Sequence, residues 1–208
     1  MLTDSSQNLL PFSHLNLRRN PFGEFTQTER IDVAVVDIQA FTGHLQEPNC
    51  VVQLVGEKGY GKTTHLLSLR SEFGTSGYVH IAEGTRGQIP SGSPIMIDEA
   101  QRLTFRQRWK LFRQHVPLVL GTHRDFCIEL RAAGRRVVTV HVQEATSVDR
   151  VHCLLNARIE HVRRGSGAIP QVTRETSAAL LEKHGPNIRS ILHELFEVTQ
   201  KMSSISNL

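Results

Sequence analysis

The sequence predicts an α/β fold: a five-stranded, mostly parallel sheet sandwiched by helices, followed by a small C-terminal helical lid. Three observations carry that reading. Short apolar, β-branched runs recur between residues 50 and 142, segments of helical spacing separate them, and beyond His141 only helical spacing continues. Strands that alternate with helices imply a parallel sheet covered on both faces.

Taken in order, the chain opens with polar, irregular sequence through Asn20, and Asn20-Pro21-Phe22-Gly23 reads as a turn. Residues 1–30 are therefore expected to form an N-terminal arm, ordered over 13–25. Val35, Ile38 and Leu45 recur near helical spacing and predict a helix over 31–45. Residues 50–55 are apolar and β-branched, end at Gly56, and read as a buried strand. Leu66, Leu67 and Leu69 then put a helix over 61–73. Further apolar runs at 78–82, 94–97, 116–120 and 136–142 supply the other strands, with helices expected over 100–115 and 124–133.

Within the first of these helices, Phe105, Trp109, Phe112 and Val116 follow an i, i+4, i+7, i+11 spacing and are expected to form one buried stripe. Arg102, Arg106, Arg108, Lys110 and Arg113 occupy the remainder, as a solvated face or as a DNA-facing patch. Beyond residue 145, helices are expected over 147–164, 173–184 and 187–202. Ser147 and Thr173 are their candidate N-caps, and Gly165 and Gly185 their candidate stops. The division is thus an arm (1–30), a core (31–145) and a helical lid (146–208).

Composition excludes several classes. With 208 residues, 39% of them hydrophobic, the chain can bury a substantial core. The cysteines Cys50, Cys127 and Cys153 lie far apart without CxxC spacing, which argues against a disulfide framework or a zinc knuckle. The first residues lack the pattern of a secretory signal, and no apolar run is long enough to span a membrane, so a reducing cytoplasm and no membrane insertion are expected. A net charge of +4 suits a nucleic-acid partner without requiring one.

The chemistry concentrates in Gly56-Glu57-Lys58-Gly59-Tyr60-Gly61-Lys62-Thr63, followed by Thr64. Gly-x₄-Gly-Lys-Thr between a strand and a helix is the pattern of a P-loop. Its glycines let successive N–H groups face phosphates, and the helix start adds partial positive charge. Lys62 is then the ligand of the β- and γ-phosphates, and the Thr63 hydroxyl a ligand of Mg²⁺. A second element is the apolar strand Ile95-Met96-Ile97, which ends in Asp98-Glu99. Asp98 is expected to hold Mg²⁺ on a strand end neighbouring the P-loop, and Glu99 to orient and polarise the attacking water. After the next strand, Thr122 is the first candidate to touch the γ-phosphate or water, with His123 second.

In this order these residues resemble the AAA+ branch of the P-loop ATPases, most of all its origin-recognition and secretion-ATPase-A relatives, over nearly the whole chain. The resemblance makes residues 56–63 the Walker A motif, residues 95–99 the Walker B motif, and Thr122 the first sensor. Gly185-Pro186-Asn187-Ile188-Arg189 is similar to the family's glycine-asparagine-x-arginine helix start, which implies that Arg189 is a second sensor reaching the γ-phosphate from the lid. The Asn20-Pro21-Phe22 segment resembles the family's adenine-proximal arm. The chain departs from the family at residues 84–93, which are short and glycine-rich where a helix with substrate loops is usual. No arginine is assigned as a finger acting in trans; Arg131, Arg135 and Arg136 lie nearest the expected place.

The expected activity is an ATPase using ATP and Mg²⁺ to drive a lid switch on a protein partner or on DNA, with a homo-oligomer open. The alternative is a nucleotide-gated binding module with little or no hydrolysis. A small-molecule kinase is the third reading, and no acceptor-binding lid is evident for it.

Overall fold

A computed structural model describes residues 11–208; the opening residues of the expected arm lie outside it. The chain divides into two compact units, one spanning Thr26–Thr146 and the other combining Ser147–Leu208 with the segment that ends at Phe25.

The first unit is an α/β fold. Its strands are β1 (Cys50–Val55), β2 (Gly77–His80), β3 (Ile95–Asp98), β4 (Leu118–Thr122) and β5 (Arg136–His141), and they form one five-stranded sheet in the order β2-β3-β4-β1-β5. Every pairing is parallel. β1 lies between β4 and β5 and is buried along its whole length, as its near-continuous apolar sequence requires. Alternate residues serve opposite faces. On one face Val51, Ile95, Ile97, Leu118 and Leu120 pack with Leu111 and Phe112 of α4 (Phe105–Phe112) and Leu130 of α5 (Cys127–Ala132). On the other, Val52, Leu54, Met96 and Val119 pack with Leu66 and Leu69 of α3 (Lys62–Glu72) and with Phe41 and Leu45.

Three helical expectations are corrected. Residues 31–45 do not form one helix: α1 is Gln27–Asp32 and α2 is Gln39–Thr42. A capping box between Thr26 and Glu29 sets the start upstream. The run Val33-Ala34-Val35-Val36 is rich in β-branched residues that favour other conformations, and it lies outside both helices. The helix expected over 100–115 starts only at Phe105, after a 3-10 turn, because Thr104 and Gln107 form a capping box there. The helix expected over 124–133 starts at Cys127.

The buried stripe on α4 is also corrected. Leu111 and Phe112 face the core, whereas Phe105 is 71% and Trp109 53% exposed. The i, i+4 aromatic spacing marks one face of the helix, and that face turns outward.

In the second unit, α6 (Val148–His161), α7 (Arg174–His184) and α8 (Ile188–Gln200) start at Ser147, Thr173 and Asn187, each of whose side chains accepts a backbone N–H of the first turn. Gly185 follows α7 at once, but α6 ends at His161, four residues before Gly165. There the chain is drawn off by Asn16, whose side chain donates to the Gly165 carbonyl (3.1 Å) and accepts from the Gly165 N–H (3.2 Å). The segment through Phe25, expected to be ordered, is thus built into this helical unit. Asn20 donates to the Phe196 carbonyl (3.0 Å), and buried Arg158 donates to the carbonyls of Pro21 (2.9 Å) and Gly23 (2.6 Å). The Arg158 guanidinium also lies over the Phe25 ring, 3.8 Å from its centroid.

Candidate functional site

The site lies at the carboxyl ends of β1, β3 and β4, where open α/β sheets gather ligands. β1 runs directly into the 56–61 loop, which opens α3. Gly59 and Gly61 have φ of 94° and 90°, a left-handed conformation that glycine adopts without a Cβ penalty. Gly56 is glycine for space, since a Cβ there would come within 2.4 Å of Val142. Glu57 and Lys58 are exposed, and Gly59, Tyr60, Gly61, Thr63 and Thr64 are half-buried. Lys62 is buried, and its ammonium turns back to donate to the carbonyls of Gly56 (2.8 Å) and Glu57 (2.9 Å).

Thr63 and Asp98, separated by 35 residues, meet: the Thr63 hydroxyl donates to Asp98 Oδ2 at 2.7 Å. Asp98 ends β3 and Thr63 lies in the first turn of α3, which follows β1, and those two strands are not neighbours, because β4 lies between them. The carboxylate crosses that gap over Gly121, its register partner on β4. A Cβ at Gly121 would stand 2.8 Å from Asp98 Oδ1 and 2.7 Å from Leu66 Cδ1, so only glycine leaves the carboxylate its path. Asp98 is fully buried and is held further by His80 Nδ1 at 3.0 Å and by the Glu99 N–H at 3.1 Å. Its charge, after burial itself, helps push the Tyr78 phenol well above its ordinary range.

Glu99 adopts φ 63° and ψ 44°. That conformation is uncommon for a residue with a side chain and costs about 1–3 kcal/mol, strain of the kind that collects at functional sites. Both oxygens of its carboxylate are engaged. Oε2 accepts from Gln101 (2.8 Å) and pairs with Arg102 (3.3 Å), and Oε1 lies 3.4 Å from His123 Nε2. Burial raises the Glu99 carboxyl, but His123, Arg102, Gln101 and Lys62 together outweigh it and hold the group below its ordinary range.

Of the two candidates at the end of β4, Thr122 and His123, the structure brings in the second. The buried Thr122 hydroxyl donates to the Arg124 carbonyl (2.9 Å) and accepts its N–H (3.0 Å), closing a local turn. His123 stands instead between the charges, with Nε2 3.4 Å from Lys62 Nζ and Nδ1 3.4 Å from Glu57 Oε2. A protonated Nε2 can donate to Glu99, whereas an unprotonated one can accept from Lys62, so the tautomer decides which partner is held. Arg189 is exposed on the first turn of α8, in the second unit.

Sequence reasoning missed His80, Gln101 and Arg102. His80 had a usable signal, since it interrupts the apolar run at 78–82, and the structure puts it at the end of β2 in register with Asp98. Gln53, a buried polar residue in β1, was also missed. Its amide donates to Asp125 (2.6 Å) and Thr139 (2.7 Å) and its carbonyl accepts the Phe126 N–H (3.0 Å), tying the β4–α5 loop to the sheet beside the site. Among the arginines nearest the expected finger position, Arg135 is internal: it is buried and donates to the carbonyls of Gln114, Cys50 and Val116.

No protein-family model matches the chain, and no curated protein matches it significantly. Among the described residues, no group of three or more His, Cys, Asp or Glu converges as a metal site, and no helix is long and apolar enough to cross a membrane.

Proposed function

We propose that residues 56–64 form a P-loop that binds ATP with Mg²⁺, in an AAA+-type ATPase of the cytoplasm whose C-terminal helices act as a lid on behalf of a protein or DNA partner. The observation that carries this reading is the 2.7 Å contact between Thr63 and Asp98 beside the loop lysine. A hydroxyl at a helix start and a buried carboxylate from a distant strand form a hard-oxygen pair. Such a pair suits Mg²⁺, which takes few protein ligands and fills its remaining positions with phosphate oxygens and water. When bound, Mg²⁺ would neutralise charge on the phosphates.

The chain's own groups then have distinct tasks. The N–H groups of the glycine loop and the first turn of α3 face the phosphates, and Lys62 exchanges its two carbonyl acceptors for phosphate oxygens. Glu99, kept ionised by its cationic neighbours, accepts a proton from the attacking water. His123, just after β4, replaces Thr122 as the residue that follows the γ-phosphate, and Arg189 is its counterpart from the lid.

One observation favours the slower alternative, a nucleotide-gated binding module. Glu99 is held by Gln101, Arg102 and His123, and it must release one of them to accept water. Phosphate release from ATP·Mg²⁺ by wild type and Glu99→Gln separates the two readings. Turnover that falls about 10²-fold or more in the variant supports the ATPase and its base. Tight ATP binding without turnover in either protein supports the gated module.

A further inference from the structure

The outward face of α4 is a second surface with its own chemistry. Phe105 and Trp109, one helical turn apart, are 71% and 53% exposed, and the Arg113 guanidinium, a turn further on, lies 4.3 Å from the Trp109 ring centroid. Arg106 and Lys110 form the adjacent ridge, both exposed and without an ion-pair partner among the described residues. No acidic residue occurs from 100 to 124, so nothing in this stretch of sequence offsets the stripe's charge. Arg108 differs: it turns to Glu129 of α5, 3.4 Å away, and fixes the opposite edge of the helix. Exposing two large rings beside unpaired cations is unfavourable for a surface with no partner.

We propose that this stripe is a binding platform for single-stranded DNA. Unstacked bases offer flat faces to Phe105 and Trp109, while the phosphates between them meet Arg106, Lys110 and Arg113. Duplex DNA hides its base faces and offers the rings nothing to stack on. The five side chains supply ring faces and donors and no acceptor for a 2′-hydroxyl proton, and a DNA strand satisfies all of them with its bases and phosphates alone. The platform is independent of the nucleotide site and stands whether or not ATP is bound or hydrolysed.

Trp109 is the only tryptophan of the chain, so its fluorescence reports this surface alone. Titrating the full-length protein with a dT₂₀ oligonucleotide should give saturable quenching. Phe105→Ala should weaken binding about 5- to 150-fold, the equivalent of one base stack. Three phosphate contacts predict a slope of log K against log salt near −2, and Arg106→Gln/Lys110→Gln should reduce its magnitude by roughly 1.4. Both variants alter exposed side chains, and circular dichroism confirms their folding. The proposal is overturned by any of four results: no quenching by dT₂₀, equal binding of a same-length duplex, tighter binding of rU₂₀, or equal quenching by polyglutamate, which would mark an acidic protein partner.

Discussion

Gly121→Ala tests whether the gap beneath Asp98 builds the site. The added Cβ would stand 2.7 Å from Leu66 Cδ1 and 2.8 Å from Asp98 Oδ1, both closer than real Cβ contacts allow. Leu66 Cδ1 is the end of a flexible side chain and can yield, at the usual overpacking cost of about 1–3 kcal/mol. The carboxylate is less free, because Thr63, His80 and the Glu99 N–H all hold it. If it moves, the charged hydrogen bond from Thr63 is lost as well, and the total rises to roughly 2.5–6 kcal/mol. Urea unfolding measures that loss. On the proposed reading, the same displacement removes a Mg²⁺ ligand, so the extra stabilisation that Mg²⁺ adds to ATP should shrink while that of ATP alone persists. A variant within about 0.5 kcal/mol of wild type, with its Mg²⁺ increment intact, would refute the argument.

Two further predictions concern the groups around the site. Gln53→Leu strands the Phe126 N–H and removes a donor from Asp125 and Thr139, and should cost roughly 2–4 kcal/mol in urea unfolding; a loss below about 1 kcal/mol contradicts the role given to that amide. Glu99 titrates below its ordinary value, so the unfolded chain takes up that proton first. Its contribution is complete above the unfolded value of 4.5 and is lost as pH falls through the folded one. The stability difference between wild type and Glu99→Gln should therefore be level above 4.5 and move against wild type on acidification; movement in the other direction means that the cationic neighbours do not hold the carboxylate.

Much of this was legible because local chemistry and tertiary position agree. The apolar run at 50–55 ended by Gly56, and the strand ending in Asp98-Glu99, can form little else, and both lie where alternating strands and helices put them. Helix starts were legible wherever a cap also marked a change in spacing, as at Ser147 and Thr173. They were misread at 31 and 100, where capping boxes at Thr26 and Thr104 outweigh apolar spacing. The α4 stripe failed for a different reason: periodicity identifies a face but not its direction, and Leu111 and Phe112 are the residues that meet the sheet. The strand order, with β4 between β1 and β3, has no local signature, and neither has the gap at Gly121. Thr122 and His123 are adjacent polar residues after one strand, and only the Arg124 turn decides which of them faces Lys62.

The most direct test of the central claim is calorimetric titration of ATP into wild type and Lys62→Ala, with and without Mg²⁺. On the proposed reading wild type binds ATP and Mg²⁺ tightens it, and Lys62→Ala, which removes the buried ammonium proposed to hold phosphate, weakens binding about tenfold or more. ATP bound equally by both proteins, or by wild type without regard to Mg²⁺, would contradict it.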